Sequence, residues 1–148
     1  MIVNDRLLIA SLQSLLARLY VMYFRAHSAH WNVEGPSFPQ LHAFFGDIYE
    51  DVFGSIDRFA EAIRQHGEMA PVDLGELLTL APEQRGATKG GAPNALLGEL
   101  EEMNDGLLAI FPHCREVAEK AGDFGLSNFI QDREAAHLKW QWQIRVQL

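Results

Sequence analysis

Apolar residues recur at every third or fourth position from Asn4 to about Asn32, at Leu7, Leu8, Leu12, Leu15, Leu16, Leu19, Val21, Met22 and Phe24, with no Gly or Pro among them. That period predicts one long helix. Val33-Glu34-Gly35-Pro36-Ser37 ends it, and Ser37 is placed to cap a second helix whose first turn tolerates Pro39. The second helix is predicted from about Phe38 to His66. Its wide apolar stripe (Leu41, Phe44, Phe45, Ile48, Tyr49, Val52, Phe53, Ile56, Phe59, Ile63) is opposed by Asp47, Glu50, Asp51, Arg58 and Arg64. Gly67 suits the left-handed position beyond its end. From Glu68 to Pro93 the pattern is broken by Pro71, Pro82, Gly86, Gly90 and Gly91, and only Asp73 to Leu80 reads as a short helix, capped by Asp73. A third helix opens near Pro93, at about 94, and reaches 121, with Pro112 inside it predicting a kink or break. Gly122-Asp123 then caps a fourth helix from Phe124 to about Val146. The pattern is all-α: a four-helix bundle with a short helix in the crossover between helices two and three.

The chain has 148 residues, 48 % of them apolar, enough for one domain spanning 1–148 to bury a core without a staple. Its single cysteine, Cys114, excludes an intrachain disulfide and favours a reducing compartment. The longest apolar run, Leu19 to Phe24, is too short to span a bilayer, and Asp5 near the start is unlike a secretory leader. A cytoplasmic location with no membrane partner is therefore expected. The net charge of −8 favours cations over phosphate backbones or anionic lipid.

Candidate metal ligands concentrate at His27, His30, His42, Asp47, Asp57 and Glu61. His30 lies near the end of the first helix and His42 near the start of the second, so the tight Gly-Pro turn should make them neighbours. Asp57 and Glu61, four residues apart, put two carboxylates on one face of the second helix, one turn apart. From His42 to Asp57, however, is about 22 Å along a helix rising ~1.5 Å per residue. One straight helix cannot bring them together. An antiparallel two-fold pairing of two second helices can, and it creates two equivalent sites between subunits. Mixed His and carboxylate ligation suits iron, zinc or manganese better than calcium or magnesium. Taken singly, the same residues have plainer readings: Asp57 and Glu61 as a solvated helix face, His30 as a hydrogen-bonded core histidine.

The string His30-Trp31-Asn32-Val33-Glu34-Gly35-Pro36, followed by Phe38, Leu41-His42, Asp57 and Glu61, resembles the Dps family of mini-ferritins. Pro71, Gly122-Asp123 and the pattern Asp132, His137, Lys139, Trp142 fall in the expected order, so the resemblance covers nearly the whole chain. It implies a ferritin-like four-helix bundle that assembles into a dodecameric shell. Such a shell protects against oxidative stress by oxidising iron(II) with hydrogen peroxide or oxygen and storing iron(III) inside. It also implies ferroxidase sites at the two-fold, with His30 and His42 from one subunit and Asp57 and Glu61 from its partner as the catalytic and metal-binding residues. The first iron would sit between His30 and the carboxylate pair, with His42 serving a weaker second position. There the chain departs from the family: the usual Asp four residues after this histidine is Gly46. Asp47 is turned about 100° away on an ideal helix and reaches in only if the glycine loosens it; water could complete the shell instead. Trp31 resembles a family tryptophan that absorbs an oxidising equivalent, although core packing beside the turn is the plainer role, and Tyr49 carries the same two readings. Asp123 and Asp132 correspond to a helix lining ion pores, and Asp123 equally suits an N-cap.

Three rivals follow. A di-metal site inside one bundle needs two Glu-x-x-His motifs on different helices, and only Glu134-Ala-Ala-His137 is found. DNA packaging needs clustered Lys and Arg, whereas no Lys-rich terminus is present and Lys89, Lys120 and Lys139 are scattered, so DNA binding is not expected. A shell that sequesters metal with weak or no ferroxidase activity is the third, because of Gly46.

Overall fold

The computed structural model describes residues 3–81 and 87–148; Pro82 and Gly86, read above as breaks in the crossover, lie outside them. The chain order is α1 (Val3–Asn32), α2 (Phe38–Gln65), α3 (Leu74–Thr79), α4 (Pro93–Lys120) and α5 (Phe124–Arg145), with no strand among the described residues. α1 packs on α2 and on α4, and α4 on α5, while the contact between α2 and α5 is far thinner than these three. This is the helical bundle expected from the periodicity.

Each long helix buries a seam spaced alternately by three and four residues. In α1 it runs Leu8, Leu12, Leu15, Leu19, Met22, Ala26, and in α2 Leu41, Phe45, Ile48, Val52, Ser55, Phe59, Ala62. That 3.5-residue repeat keeps one stripe facing the partner along the full length of each helix. Ser55 takes a seam position by donating its hydroxyl to the Val52 carbonyl at 2.7 Å. By length and composition alone α1 would also pass for a membrane-crossing helix, but half of its most apolar stretch is buried inside the bundle.

Helix ends follow local chemistry. Gly67 (φ +92°) and Gly122 (φ +80°) adopt the left-handed conformation that closes α2 and α4. At each, the N–H groups of the glycine and of the next residue return to carbonyls of the last turn: Gly67 to Arg64 and Glu68 to Ile63, Gly122 to Glu119 and Asp123 to Ala118. Asp73 and Asp123 cap α3 and α5 by accepting from the Glu76 and Leu126 amides at 2.8 and 2.9 Å. Ser37 stands at the N-cap of α2 but makes no side-chain cap bond. A kink or break is expected at Pro112; there is no break, and α4 runs through it. Pro112 is on the exposed face, where the Leu108 carbonyl deprived of its donor can take water instead.

The seam of α5 is polar at its centre. Arg133, His137 and Gln141 are all buried there. The Arg133 guanidinium donates to both oxygens of Asp51 on α2 at 2.9 and 3.0 Å, and Trp140 Nε1–H donates to the same carboxylate at 2.7 Å. Burial pushes the Asp51 carboxyl up, but these hydrogen bonds and the Arg133 charge outweigh it and hold it below the usual range. The Asn104 amide on α4 donates to the His137 carbonyl and to Gln141 Oε1, which leaves its own oxygen to accept from His137 Nδ1 at 2.7 Å. His137 Nε2 then accepts from Arg133 at 3.2 Å. Both ring nitrogens are therefore used in the neutral form. Burial, reinforced by the Arg133 charge, pushes the His137 pKa down to about 3. Cys114, in the α4 seam, faces the Ser11 carbonyl at 3.8 Å, and burial raises its thiol to about 11.

Because the unfolded chain protonates His137 near its ordinary pKa and the folded chain does so only near 3, stability is lost as pH falls through the interval between them. The expected slope approaches ~1.4 kcal/mol per pH unit from this residue. Urea denaturation at pH 7, 5 and 4 checks it: a His137→Gln variant should start less stable at pH 7 and show a shallower acid dependence.

Candidate metal centre

The α1–α2 turn is built to hold two imidazoles face to face. Gly35 (φ +102°) makes the reversal, Phe38 N–H donates to the Gly35 carbonyl, and buried Val33 anchors the end of α1 through its bond to the Ala29 carbonyl. Across this turn the rings of His30 and His42 stack with centroids 3.6 Å apart and planes 21° from parallel. Each is fixed by the other's backbone: His30 Nδ1–H donates to the His42 carbonyl at 2.6 Å, and His42 Nδ1–H donates to the His30 carbonyl at 2.7 Å. A carbonyl can only accept, so each Nδ1 carries a proton, and Nε2 is the nitrogen left to ligate a metal. That is the orientation in which a backbone carbonyl supports a metal-ligating histidine. Phe38 stacks on His42 at 4.9 Å.

Gly46 is buried beside this pair, and a Cβ on it would stand 3.3 Å from His30 Nδ1. The glycine therefore sits against the His30 ring and supplies no carboxylate there. Tyr49 covers the next turn, 5.3 Å from His30 edge-on and stacked on His27 at 4.1 Å. His27 also tilts against Trp31 at 4.1 Å, and its Nδ1 pairs with the Tyr23 hydroxyl at 3.2 Å. Desolvation, and next the nearby His30 charge, lower its pKa. His27 is thus engaged by Tyr23, Tyr49 and Trp31. Trp31 is not core packing: it is 55 % exposed and rests edge-on against Phe24.

Asp47, Asp57 and Glu61 are exposed on α2, and the rise of the helix carries Asp57 and Glu61 away from the histidine pair. Glu61 lines a polar recess of about 110 Å³ with Arg58, Gln65 and Asp123. Among the described residues of one chain, no three His, Cys, Asp or Glu side chains converge on a point that could hold a metal. Asp123 serves as the α5 cap and also meets His66 Nε2 at 3.1 Å, while Asp132 is exposed. Burial works against ionised Asp123, but the Leu126 amide, His66 and Arg58 together hold its pKa low. Glu134 pairs with Arg115 at 3.2 Å while His137 is locked in the core, so the Glu-x-x-His motif does not act as a pair.

One feature escapes a reading by motif. Phe24, Trp31 and Phe53 are each more than half exposed on the α1–α2 side. Next to them a cleft of about 250 Å³ between α1, α2 and the crossover is lined by Leu16, Tyr20, Ile56, Pro71 and Leu77. The signal for this in the sequence is the width of the α2 stripe, which exceeds what one bundle core can cover.

The ferritin-like domain profile matches residues 9–148. The chain is 29 % identical over 129 residues to a DNA protection during starvation protein of Brevibacillus brevis, covering 87 % of this chain and 86 % of that protein. It is 28 % identical over 137 residues to the protein of the same name from Helicobacter pylori, covering 93 % and 95 %. Among solved structures, a Dps protein from Bacillus brevis superposes with a TM-score of 0.91 at 27 % identity over 99 % of this chain and 97 % of that one. Dps from Vibrio cholerae O1, described as a member of a broad superfamily of ferritin-like diiron-carboxylate proteins, superposes at 0.89 with 26 % identity over 97 % and 89 %.

The two glycines of α2 should respond differently to alanine. Gly54 faces open space, so Gly54→Ala is expected to stabilise by about 0.5–1 kcal/mol through helix propensity. Gly46→Ala meets the His30 ring and should gain less or lose stability. Parallel thermal denaturation of the two variants gives the comparison.

Proposed function

The chain belongs to the ferritin-like family as a Dps-like mini-ferritin, and from that premise we propose that its copies pair through the α1–α2 face and oxidise iron(II) at sites shared between two subunits. His30 and His42 of one subunit and Asp57 and Glu61 of its partner bind the iron, which is the substrate; zinc or manganese would compete for the same donors. The observation that carries this reading is the separation along α2. Two imidazoles with Nδ1 committed to backbone carbonyls stand at one end of the helix, and two carboxylates stand about 22 Å away at the other. Antiparallel apposition of two copies turns that separation into juxtaposition, and the exposed Phe24, Trp31 and Phe53 supply an apolar face to bury.

In the reaction, hydrogen peroxide accepts one electron from each of two iron(II) ions, its O–O bond breaks, and protons from solvent complete two water molecules. The carboxylates favour the harder iron(III) product. The imidazoles, held by backbone carbonyls, need no reorientation. Iron(III) then passes to the interior of a closed shell, a dodecamer in this family, and the cell compartment is the cytoplasm. Gly46 withholds the anionic ligand that a second iron would use, which supports a second reading: a shell that sequesters metal and oxidises it slowly. DNA is not a partner in this proposal, because Lys89, Lys120 and Lys139 lie apart in an acidic chain.

The decisive assay mixes anaerobic iron(II) with the protein, adds peroxide or air, and follows ferric absorbance. The parent should exceed Glu61→Ala by at least tenfold in initial rate, and equal traces would refute ferroxidase activity. Gly46→Asp should oxidise faster than the parent if the missing carboxylate limits turnover. Light scattering should give a multiple of the 16.6 kDa chain, with Phe53→Glu shifting it toward smaller species. Duplex DNA at ~150 mM salt should show no mobility shift.

A further inference from the structure

The histidine pair is supported from behind by the segment entering α4. Thr88 N–H donates to Glu99 Oε2 at 3.0 Å, and Glu99 Oε1 pairs with Arg25 of α1 at 3.1 Å, which ties this segment to the first helix. Three residues further on, the Gly91 carbonyl accepts from the Glu34 amide at 2.9 Å. Gly91 is buried, and its Cα lies so close to the turn that a Cβ would fall inside contact distance of the Asn32 carbonyl and 2.7 Å from Glu34 Cγ. The neighbour it would strike first is backbone, which cannot swing aside as a side chain can. Gly90 (φ +100°) provides the left-handed turn that delivers Gly91 to this place.

Asn32 follows His30 by two residues. Its carbonyl, the Glu34 amide and the His30 carbonyl that fixes the His42 ring lie on one short stretch of chain. We propose that Gly91 is a positioning residue for the metal centre: its bare Cα sets where the 30–34 backbone sits, and thereby the stacking and aim of His30 and His42. The inference rests on the site reading above. Gly91 touches no metal and no reactant. A side chain there displaces the Asn32–Glu34 backbone, shifts the His30 carbonyl and loosens the His42 Nδ1 hydrogen bond. The stacking of the two rings is then no longer held from both sides.

Cobalt(II) titration of the assembled protein, followed by its visible absorption, tests this, with scattering and circular dichroism as checks of assembly and helix content. Gly91→Ala should retain helix content but bind cobalt at least tenfold more weakly and show an altered band shape and intensity. Gly98→Ala, at an α4 position with open space, should match the parent. General destabilisation would lower the melting temperature yet leave the spectrum of the folded protein unchanged, so the spectrum separates positioning from mere stability. Should Gly91→Ala fail to assemble, Gly90→Ala decides, since it strains the same loop without placing an atom against Asn32; a smaller loss in the same direction is expected. Parent-like affinity and spectrum in the variant that folds would overturn the positioning role. If His30→Ala binds cobalt as the parent does, the site reading itself fails, and this inference with it.

Discussion

A 28-residue α-helix is a stiff rod about 42 Å long, and α2 carries His42 near one end and Asp57 and Glu61 toward the other. No side-chain motion closes that distance, because its rise is fixed by backbone hydrogen bonds along an uninterrupted helix. In the function proposed, chemistry that joins His42 to Asp57 and Glu61 therefore involves more than one copy of α2. The apolar surface left on the α1–α2 side and the absence of a convergent three-ligand cluster among the described residues of one chain are two sides of the same constraint. On the proposed reading, the bundle builds half-sites on a rigid frame.

What the frame does for each half differs. The histidine half is preorganised: ring stacking, reciprocal carbonyl bonds and the turn fix tautomer and direction together. The carboxylate half is two exposed side chains on a rigid helix, free to choose rotamers. A cation arriving at such a pair finds one ordered wall and one adaptable wall, which lowers the ordering cost on one side while leaving room for a change of charge on the metal.

The fold was legible because its signals are local. Gly67, Gly122, Asp73 and Asp123 act within one turn of themselves, and apolar spacing reports on a single helix. The closeness of His30 and His42 was legible for the same reason, since a five-residue turn leaves them little room to separate. Illegible were features that depend on several elements at once. The α5 seam looks poorly amphipathic because Arg133, His137 and Gln141 occupy it, and their burial depends on partners from other helices: Asp51 from α2 and Asn104 and Asp105 from α4. Trp31 reads as core by composition but faces outward, since the core of one bundle is already full. Pro112 reads as a break, yet an exposed helix face tolerates it. The packing of Gly91 on Asn32 joins positions far apart in the chain, which no spacing rule reports.

Cys114 carries one more consequence. The chain has one sulfhydryl, and the α4 seam keeps it buried and protonated well above physiological pH. Peroxide attacks thiolates, and disulfide exchange requires them. In the assembly proposed above, the subunit's one thiol would therefore stay off the surface, and the exposed Met69 thioether cannot form a disulfide. In the peroxide chemistry proposed, such an assembly would meet its oxidant without disulfide cross-links between neighbouring subunits.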